Sequence, residues 1–394
     1  MDDNQGASSS AYLVCALLVA GTVLALAGID LVLPAIPILP ETLATDETLS
    51  QFVIAAFVFG VSVGLLIFGA LGARYSRRWL VVIALFLYAL LSLSCALVKD
   101  IGSLIVLRFL MGLSSAAPTV FAPVIIKAIF DQVTATRALG VLGSIESLVP
   151  AVAPLAGLWL LNLGGWQTSF WLIAGLSTLL AFAIALLGNS IPNEVEQLSD
   201  GSYKRLLSSA TYLRYALSQA LVLGGLLVFV FAAPAVIVHT MDGKLTHFIV
   251  MQMVGVGFFI VGANMSGSLV ARWGAEKVIM RGSLLAWVGA LLLLVYALTG
   301  KNNPAMLAFI FPVMNVGLGI RGPVGFLRAI IAGGGDDDRA SSLTFLAVTI
   351  SSAGGTAILA PFIESGLFAL CLATLLIQSL AMALLLLLPA LKDE

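Results

Sequence analysis

Four side chains in this sequence carry charge where their neighbours are apolar. Asp30 stands in LAGIDLVLPAIPILP, Arg108 in VLRFLMGL, Glu146 in GSIESLVP and Arg321 in GLGIRGPVG. The two acids can bind and release protons, which suits them to proton coupling. The two guanidiniums keep their charge at physiological pH, so each must pair or face a polar cavity. Asn315 and Gln252 add neutral polar groups in similar surroundings and, with Arg108 and Arg321, form a candidate set for a substrate cavity. Each charge costs about 2.5–3.5 kcal/mol at the centre of a membrane helix, so each invites a functional reading. Pro34, Pro37 and Pro40 follow Asp30 and strip backbone hydrogen bonds just where the acid sits.

The surroundings decide the class. Of the 394 residues, 60% are hydrophobic and 10% charged, against about 25% charged in soluble domains. A membrane protein is the only class that accommodates this much apolar side chain. A net charge of −1 gives no general attraction to nucleic acid. Cys15, Cys95 and Cys371 lie in apolar runs without metal-ligand spacing and read as small core residues. His239 and His247 lack a third ligand nearby. The GGWQ and AGGGDDD stretches lack the Lys and helix context of a nucleotide site, which argues against ATP-driven transport. The acidic, polar start MDDNQGASSS has no basic n-region, so the first apolar run is expected to be a retained span.

Those charges must be positioned by membrane-spanning helices of about 20 residues. Twelve runs qualify: 11–33, 50–72, 79–98, 102–126, 138–162, 167–188, 212–237, 247–271, 279–299, 304–330, 340–362 and 365–390. Pro118 and Pro123 predict a kink in span four, and Pro150 and Pro154 one in span five. The polar segment between spans six and seven predicts residues 1–190 as one six-helix bundle, 191–211 as a cytoplasmic linker and 212–394 as a second bundle. With both termini in the cytoplasm, fourteen of the nineteen Lys and Arg residues fall inside, Lys392 among them. Lys99, Lys244 and Lys301 fall outside; Arg108 and Arg321 lie within spans. The halves also echo each other: GALGARYSRR from Gly69 and GSLVARWGAEK from Gly267 both give G-x-x-x-A-R between corresponding spans. Such a duplication places a substrate site between the repeats near the membrane midplane.

The sequence resembles the major facilitator superfamily and, within it, the twelve-span drug/proton antiporters of the Bcr/CflA-like branch. IDLVLPAIP is similar to that branch's first-span pattern of an acid followed by L-P-x-x-P. GALGARYSRR resembles the superfamily loop G-x-x-x-D-R-x-G-R-R. RFLMGLSSAAP resembles the fourth-span pattern, and APLAGLWLLNLGGWQTSFW the fifth-span antiporter pattern with Pro154 and Gly157. The resemblance implies an all-α fold of twelve helices in two bundles, alternating access, and a central cavity lined by spans one, four, seven and ten. It also implies a proton-coupling or substrate-orienting role for Arg108. The loop acid that helps lock one conformation in the family is Ala73 here, and its second glycine is Ser76. Asp336, Asp337 and Asp338, at the start of span eleven, are candidates to supply that charge to Arg74, Arg77 or Arg78; alternatively that loop is simply solvated. Val149 stands where the fifth-span pattern has a glycine before Pro150, which weakens the inference of export over import.

At about 1.5 Å per residue, Asp30 and Arg108 fall in the outer half of the membrane, Glu146 and Arg321 in the inner half. The simplest arrangement pairs Asp30 with Arg108 and Glu146 with Arg321. Burial raises a carboxylate's pKa and a neighbouring arginine lowers it, so an acid subject to both can titrate near physiological pH. Competition between proton and substrate for one such acid yields antiport. Other readings stand beside these: Asp30 as an interfacial acid with Glu41, Asp46 and Glu47, Glu146 as a static bridge, and Arg321 as a snorkelling cation. The expected activity is export of a small amphipathic or cationic compound, driven by protons, by a monomer in the inner membrane that needs no cofactor beyond the proton gradient. The rivals are a carrier for an anionic or zwitterionic metabolite and a membrane receptor without transport.

Overall fold

The computed structural model describes residues 3–187, 191, 201–300 and 303–391. All regular structure among them is helical. The long helices are α1 (Asp3–Asp30), α2 (Glu47–Gly72), α3 (Arg77–Leu97), α4 (Ile101–Ile129), α5 (Gln132–Glu146), α6 (Val149–Gly164) and α7 (Gln167–Leu187). They continue with α8 (Ala210–His239), α9 (Leu245–Trp273), α10 (Ala275–Leu298), α11 (Leu307–Ala332), α12 (Asp337–Leu359) and α13 (Gly366–Leu387). Among the described residues eleven runs are long and apolar enough to cross a membrane; the last, Asp337–Leu387, contains both α12 and α13, which restores the twelve expected segments. Large apolar side chains stand open on the outside, Phe309 at 75%, Ile358 at 74% and Leu387 at 81% exposure. Such a surface is stable against hydrocarbon, not water.

Local chemistry sets the helix ends. Asp46 caps α2 by accepting from the Leu49 amide at 2.7 Å, and Ser209 caps α8 by accepting from Tyr212 at 3.3 Å. Asp131 opens α5, accepting from the Thr134 hydroxyl at 2.6 Å and from the Thr134 and Val133 amides. Those bonds, the hydroxyl first, hold its carboxyl below the usual carboxylate range. The cap is therefore intact above that range and is lost only as pH falls through the depressed value. Gly274, at φ 80°, turns the chain from α9 into α10 within the second copy of the repeated loop.

Two elements depart from the sequence-based expectation. Span one ends as an α-helix at Asp30 itself and continues as a 3₁₀ segment, Leu33–Ile38, with a short helix, Leu39–Thr42. Span five is not merely kinked: it is two helices, α5 and α6, interrupted at Ser147 and Leu148. Pro150 explains the break, because it has no N–H for the Glu146 carbonyl and its ring would crowd that carbonyl. Span four, by contrast, runs as a single helix of 29 residues through Pro118 and Pro123.

The chain divides into two compact units. The first is Met1–Ile129 with Ile145–Gly201; the second is Phe130–Ser144 with Ser202–Glu394. The first part of span five thus belongs with the second half of the chain, a grouping that a cut at residue 190 does not anticipate. Most of the expected linker, residues 192–200, lies outside the described residues, as do Lys301 and Lys392; Tyr203–Leu207 is a short helix. In the first unit α2 packs on α4, and Gly112 lies directly against the Phe57 carbonyl, where no side chain would fit. In the second unit α11 lies between α9 and α10, and α8 packs on α12 and α13. There residues 130–144 dock through Gly140 against the Ala263 carbonyl, and Asn264 Nδ2 donates to Ser144 Oγ at 2.9 Å.

The second unit also fastens its own C-terminal end. Arg214 Nη2 meets Glu276 at 2.9 Å, Arg214 Nη1 donates to the Leu388 carbonyl at 2.7 Å and to that of Leu385, and Tyr215 donates to Glu276. Glu276 sits in the repeated loop. Arg214→Ala strands this carboxylate and the carbonyls that end α13. The expected cost is about 3 kcal/mol, the range for breaking a mostly buried pair, measured as a lowered unfolding midpoint in detergent.

Candidate functional site: buried charges and a broken span

The prolines after Asp30 leave carbonyls at the end of α1 without their helical donors. The Val32 amide turns back to the Ile29 carbonyl at 3.2 Å, which leaves Gly28 O open; Pro34 has no N–H, and the Ala35 amide goes to Val32 at 2.9 Å, which leaves Leu31 O open. The first unit satisfies both. Arg108 Nη1 donates to Gly28 O at 3.0 Å, and Ser169 Oγ donates to Leu31 O at 3.1 Å. Gly157 of α6 packs flat on that same Leu31 carbonyl, and Tyr88 donates to the Leu24 carbonyl at 3.3 Å. A Cβ at Gly28 would strike the Tyr88 hydroxyl, so a side chain there requires Tyr88 to move off the Leu24 carbonyl.

Arg108 is fully buried. Besides Gly28 it donates through Nε to the Val53 carbonyl at 3.3 Å, and its guanidinium lies 4.2 Å from the Phe57 ring centroid and 5.8 Å from that of Phe170. Carbonyl dipoles and π faces thus compensate the charge. This corrects the expected Asp30–Arg108 pair. Arg108 meets α1 two residues short of the acid, at a carbonyl that the Val32 amide has left for Ile29. Asp30 is partly buried and has no ion-pair partner among the described residues.

Glu146 is the last residue of α5 and belongs to the first unit. It is partly buried and has no ion-pair partner among the described residues. Pro150 lies in the first turn of α6, and Pro154 inside that helix. The expected pairing of Glu146 with Arg321 gives way to a local partner for Arg321 within its own unit. Arg321, fully buried in the second unit, donates through Nη1 to the Ser218 carbonyl at 2.7 Å and through Nη2 to Ser218 Oγ at 3.3 Å. It does not snorkel. Asn315 is buried and donates to the Phe311 carbonyl at 3.0 Å, while the Gln252 Oε1 is buried without a hydrogen-bond partner among the described residues.

The aspartates before α12 behave in part as expected. Asp337 and Asp338 occupy its first turn, where the helix dipole favours them. Asp336 is held inside the second unit: Arg339 Nη1 reaches its two carboxyl oxygens at 2.9 and 3.1 Å, and Arg205 lies 3.8 Å away. That corrects its expected pairing with the Arg74, Arg77 and Arg78 group. Arg78 Nη2 donates to the Ala185 carbonyl at 2.5 Å and stacks near Trp79.

Sequence reasoning missed Tyr88, Ser169, Ser218 and Asn264. Each is one hydroxyl or amide in an apolar helix, and only the partner, far along the chain, marks it. An apolar groove of about 490 Å³ also lies along α1 and α7, lined by Val23, Leu24, Ala27, Leu31, Leu176 and Leu180.

The comparisons with known proteins fit this architecture. The chain is 31% identical over 217 residues to the uncharacterized MFS-type transporter YdgK of Bacillus subtilis, covering 53% of this chain and 54% of that protein. It is 27% identical over 306 residues to a chloramphenicol resistance protein of Pseudomonas aeruginosa, covering 75% of this chain and 71% of the relative. It thus spans from about half to seven tenths of these relatives' length. Among solved structures it is similar to the transporter FucP in the outward conformation, with a TM-score of 0.75, 16% identity, and 95% and 98% of the two chains covered. The profile described as Major Facilitator Superfamily matches residues 18–358. With a multi-pass helical fold, a repeated inter-span loop and that match over most of its length, the chain belongs to the Major Facilitator Superfamily of membrane transporters.

Proposed function

We propose that the protein exports small amphipathic or cationic compounds across the cytoplasmic membrane in exchange for protons. It works as a monomer, by alternating access of two six-helix bundles, with both termini in the cytoplasm. The observation that carries this reading is Glu146: a carboxyl at the break of a span, with no cation paired to it among the described residues. Such an acid can lose and regain a proton without disrupting an ion pair. Asp30, also without an ion-pair partner among the described residues, is the second coupling candidate. The apolar groove along α1 and α7 gives amphipathic molecules a surface within the first unit. The chloramphenicol resistance relative supports drug-like substrates. The anionic-solute reading rested on two arginines nearly cancelling two acids in one cavity, whereas Arg108 and Arg321 are fully buried against groups of their own units.

The test is uptake of tetraphenylphosphonium into inside-out membrane vesicles carrying the full chain, with an imposed pH gradient. Uptake that a protonophore collapses supports the proposal. Uptake only of carboxylated solutes supports the rival carrier, and silence for every solute under a pH gradient supports the receptor.

A further inference from the structure

The groove on the first unit has two aliphatic walls. On α1 the wall runs from Ala20 through Val23 and Ala27 to Leu31, and on α7 from Leu176 through Leu180 to Ala183. Steps of three and four residues put each wall on one helical face. The floor is sealed: Leu31 and Leu180 are buried, and the Leu31 carbonyl is taken by Ser169 and covered by Gly157. The lip is open, with Leu179 at 67% exposure. From Ala20 to Leu31 the wall measures about 16 Å at the helical rise, the length of an extended chain of about a dozen carbons.

Asp30 stands at one end of the α1 wall. It follows Val23 by two helical turns and Ala27 by nearly one, and the helix keeps that register, since the Leu31 amide still donates to the Ala27 carbonyl at 2.9 Å. It is partly buried and has no ion-pair partner among the described residues. Beyond the other end, Arg78 is engaged with backbone: it donates to the Ala185 carbonyl at 2.5 Å. An aliphatic slot that ends at such an acid matches a molecule with one chain and one cationic head. Membrane lipid is as apolar as the slot, so a chain alone gains little by leaving the bilayer. The head decides, because a carboxylate in a low-dielectric setting attracts a cation strongly and repels a phosphate or carboxylate head. The chain then fixes the orientation of the bound molecule.

We propose that this groove binds single-chain cationic amphiphiles, with the chain laid along α1 and α7 and the head at Asp30. The site names a substrate class for the export reading and rests on that reading for transport, though not for binding. The experiment measures equilibrium binding of labelled dodecyltrimethylammonium, hexyltrimethylammonium and dodecanoate to the full chain in phosphatidylcholine nanodiscs, with binding to protein-free nanodiscs subtracted. The variants are Ala20→Phe, Gly175→Leu and Asp30→Asn. Partition into the bilayer is common to all of them, so the groove shows itself as the difference between them.

Ala20 is exposed at the end away from Asp30, so Ala20→Phe shortens the groove without entering the core. Dodecyltrimethylammonium binding weakens about threefold or more, and hexyltrimethylammonium, which ends short of the block, is unchanged. A fold merely disturbed by the phenyl ring would weaken both alike. At Gly175, beside Leu176, nothing lies within 4 Å of where a Cβ would stand, so Gly175→Leu is accommodated and overhangs the lip; it weakens both cations. Asp30→Asn weakens both about tenfold, the worth of one contact to a charged group. Dodecanoate binds the wild type far more weakly than either cation. Equal losses for the two chain lengths in Ala20→Phe, or dodecanoate binding as tight as that of dodecyltrimethylammonium, would overturn the proposal. Proton-driven uptake of dodecyltrimethylammonium into inside-out vesicles separates this from the export reading. Binding as expected without driven uptake leaves the site standing and removes export. Driven uptake that Ala20→Phe and Gly175→Leu leave unchanged, with no difference in binding, removes the site and keeps export.

Discussion

Glu146→Gln abolishes proton-driven export while the protein still folds and binds tetraphenylphosphonium. The amide has nearly the shape of the acid and can still hydrogen-bond, so the fold around the break is kept. What it cannot do is change its proton count. A proton moves a two-state equilibrium only by the difference in its affinity for the two states, and with no titrating group that difference is zero. The expected result is a loss of gradient-driven uptake of about a hundredfold or more, equivalent to a coupling of roughly 3 kcal/mol, with binding changed by less than about threefold. Asp30→Asn should reduce coupling as well and spare binding. Unchanged gradient-driven uptake in both variants would remove the two acids from the mechanism.

Arg108→Ala has the opposite character: it costs folding before it costs transport. The guanidinium fills the space between Phe57 and Phe170 and is the donor to the carbonyls of Gly28 and Val53. Removing it leaves a cavity and two buried acceptors without donors. At about 1–3 kcal/mol for each stranded group, plus the cavity, the loss is about 4 kcal/mol. Arg108→Lys should recover little of this, because a single ammonium cannot span two carbonyls in a fixed plane while facing an aromatic ring. The measurement is the unfolding midpoint and the folded yield in detergent, beside transport by the folded fraction. A stable Arg108→Ala protein that has lost only coupling would return Arg108 to the cavity, and would show that the freed carbonyl of α1 tolerates being left open.

The contrast between these residues shows what a linear reading can reach. The membrane class, the twelve apolar segments, the loop repeat at Gly69 and Gly267 and the positions of four intramembrane charges are all visible along the chain. Hydropathy and repetition are local properties, and hydrocarbon forces every span to satisfy its own backbone. The end of span one and the weak point of span five follow in the same way from Pro34 and Pro150, whose missing N–H groups need no partner to be recognised.

Only the tertiary structure decided how the charges are answered. Arg108 reaches a carbonyl 80 residues away and Arg321 a serine 103 residues away, and neither partner is an acid. Charge alone suggests pairing opposite signs at equal depth. But a carbonyl that has lost its amide donor is an equally demanding partner, and which carbonyl a guanidinium finds depends on which helices pack together. Asp336 was likewise taken by Arg339, three residues on, and by Arg205 of the same unit. That competition leaves Glu146 and Asp30 without a paired cation among the described residues. The sequence placed acids in the membrane, and the packing kept cations away from them.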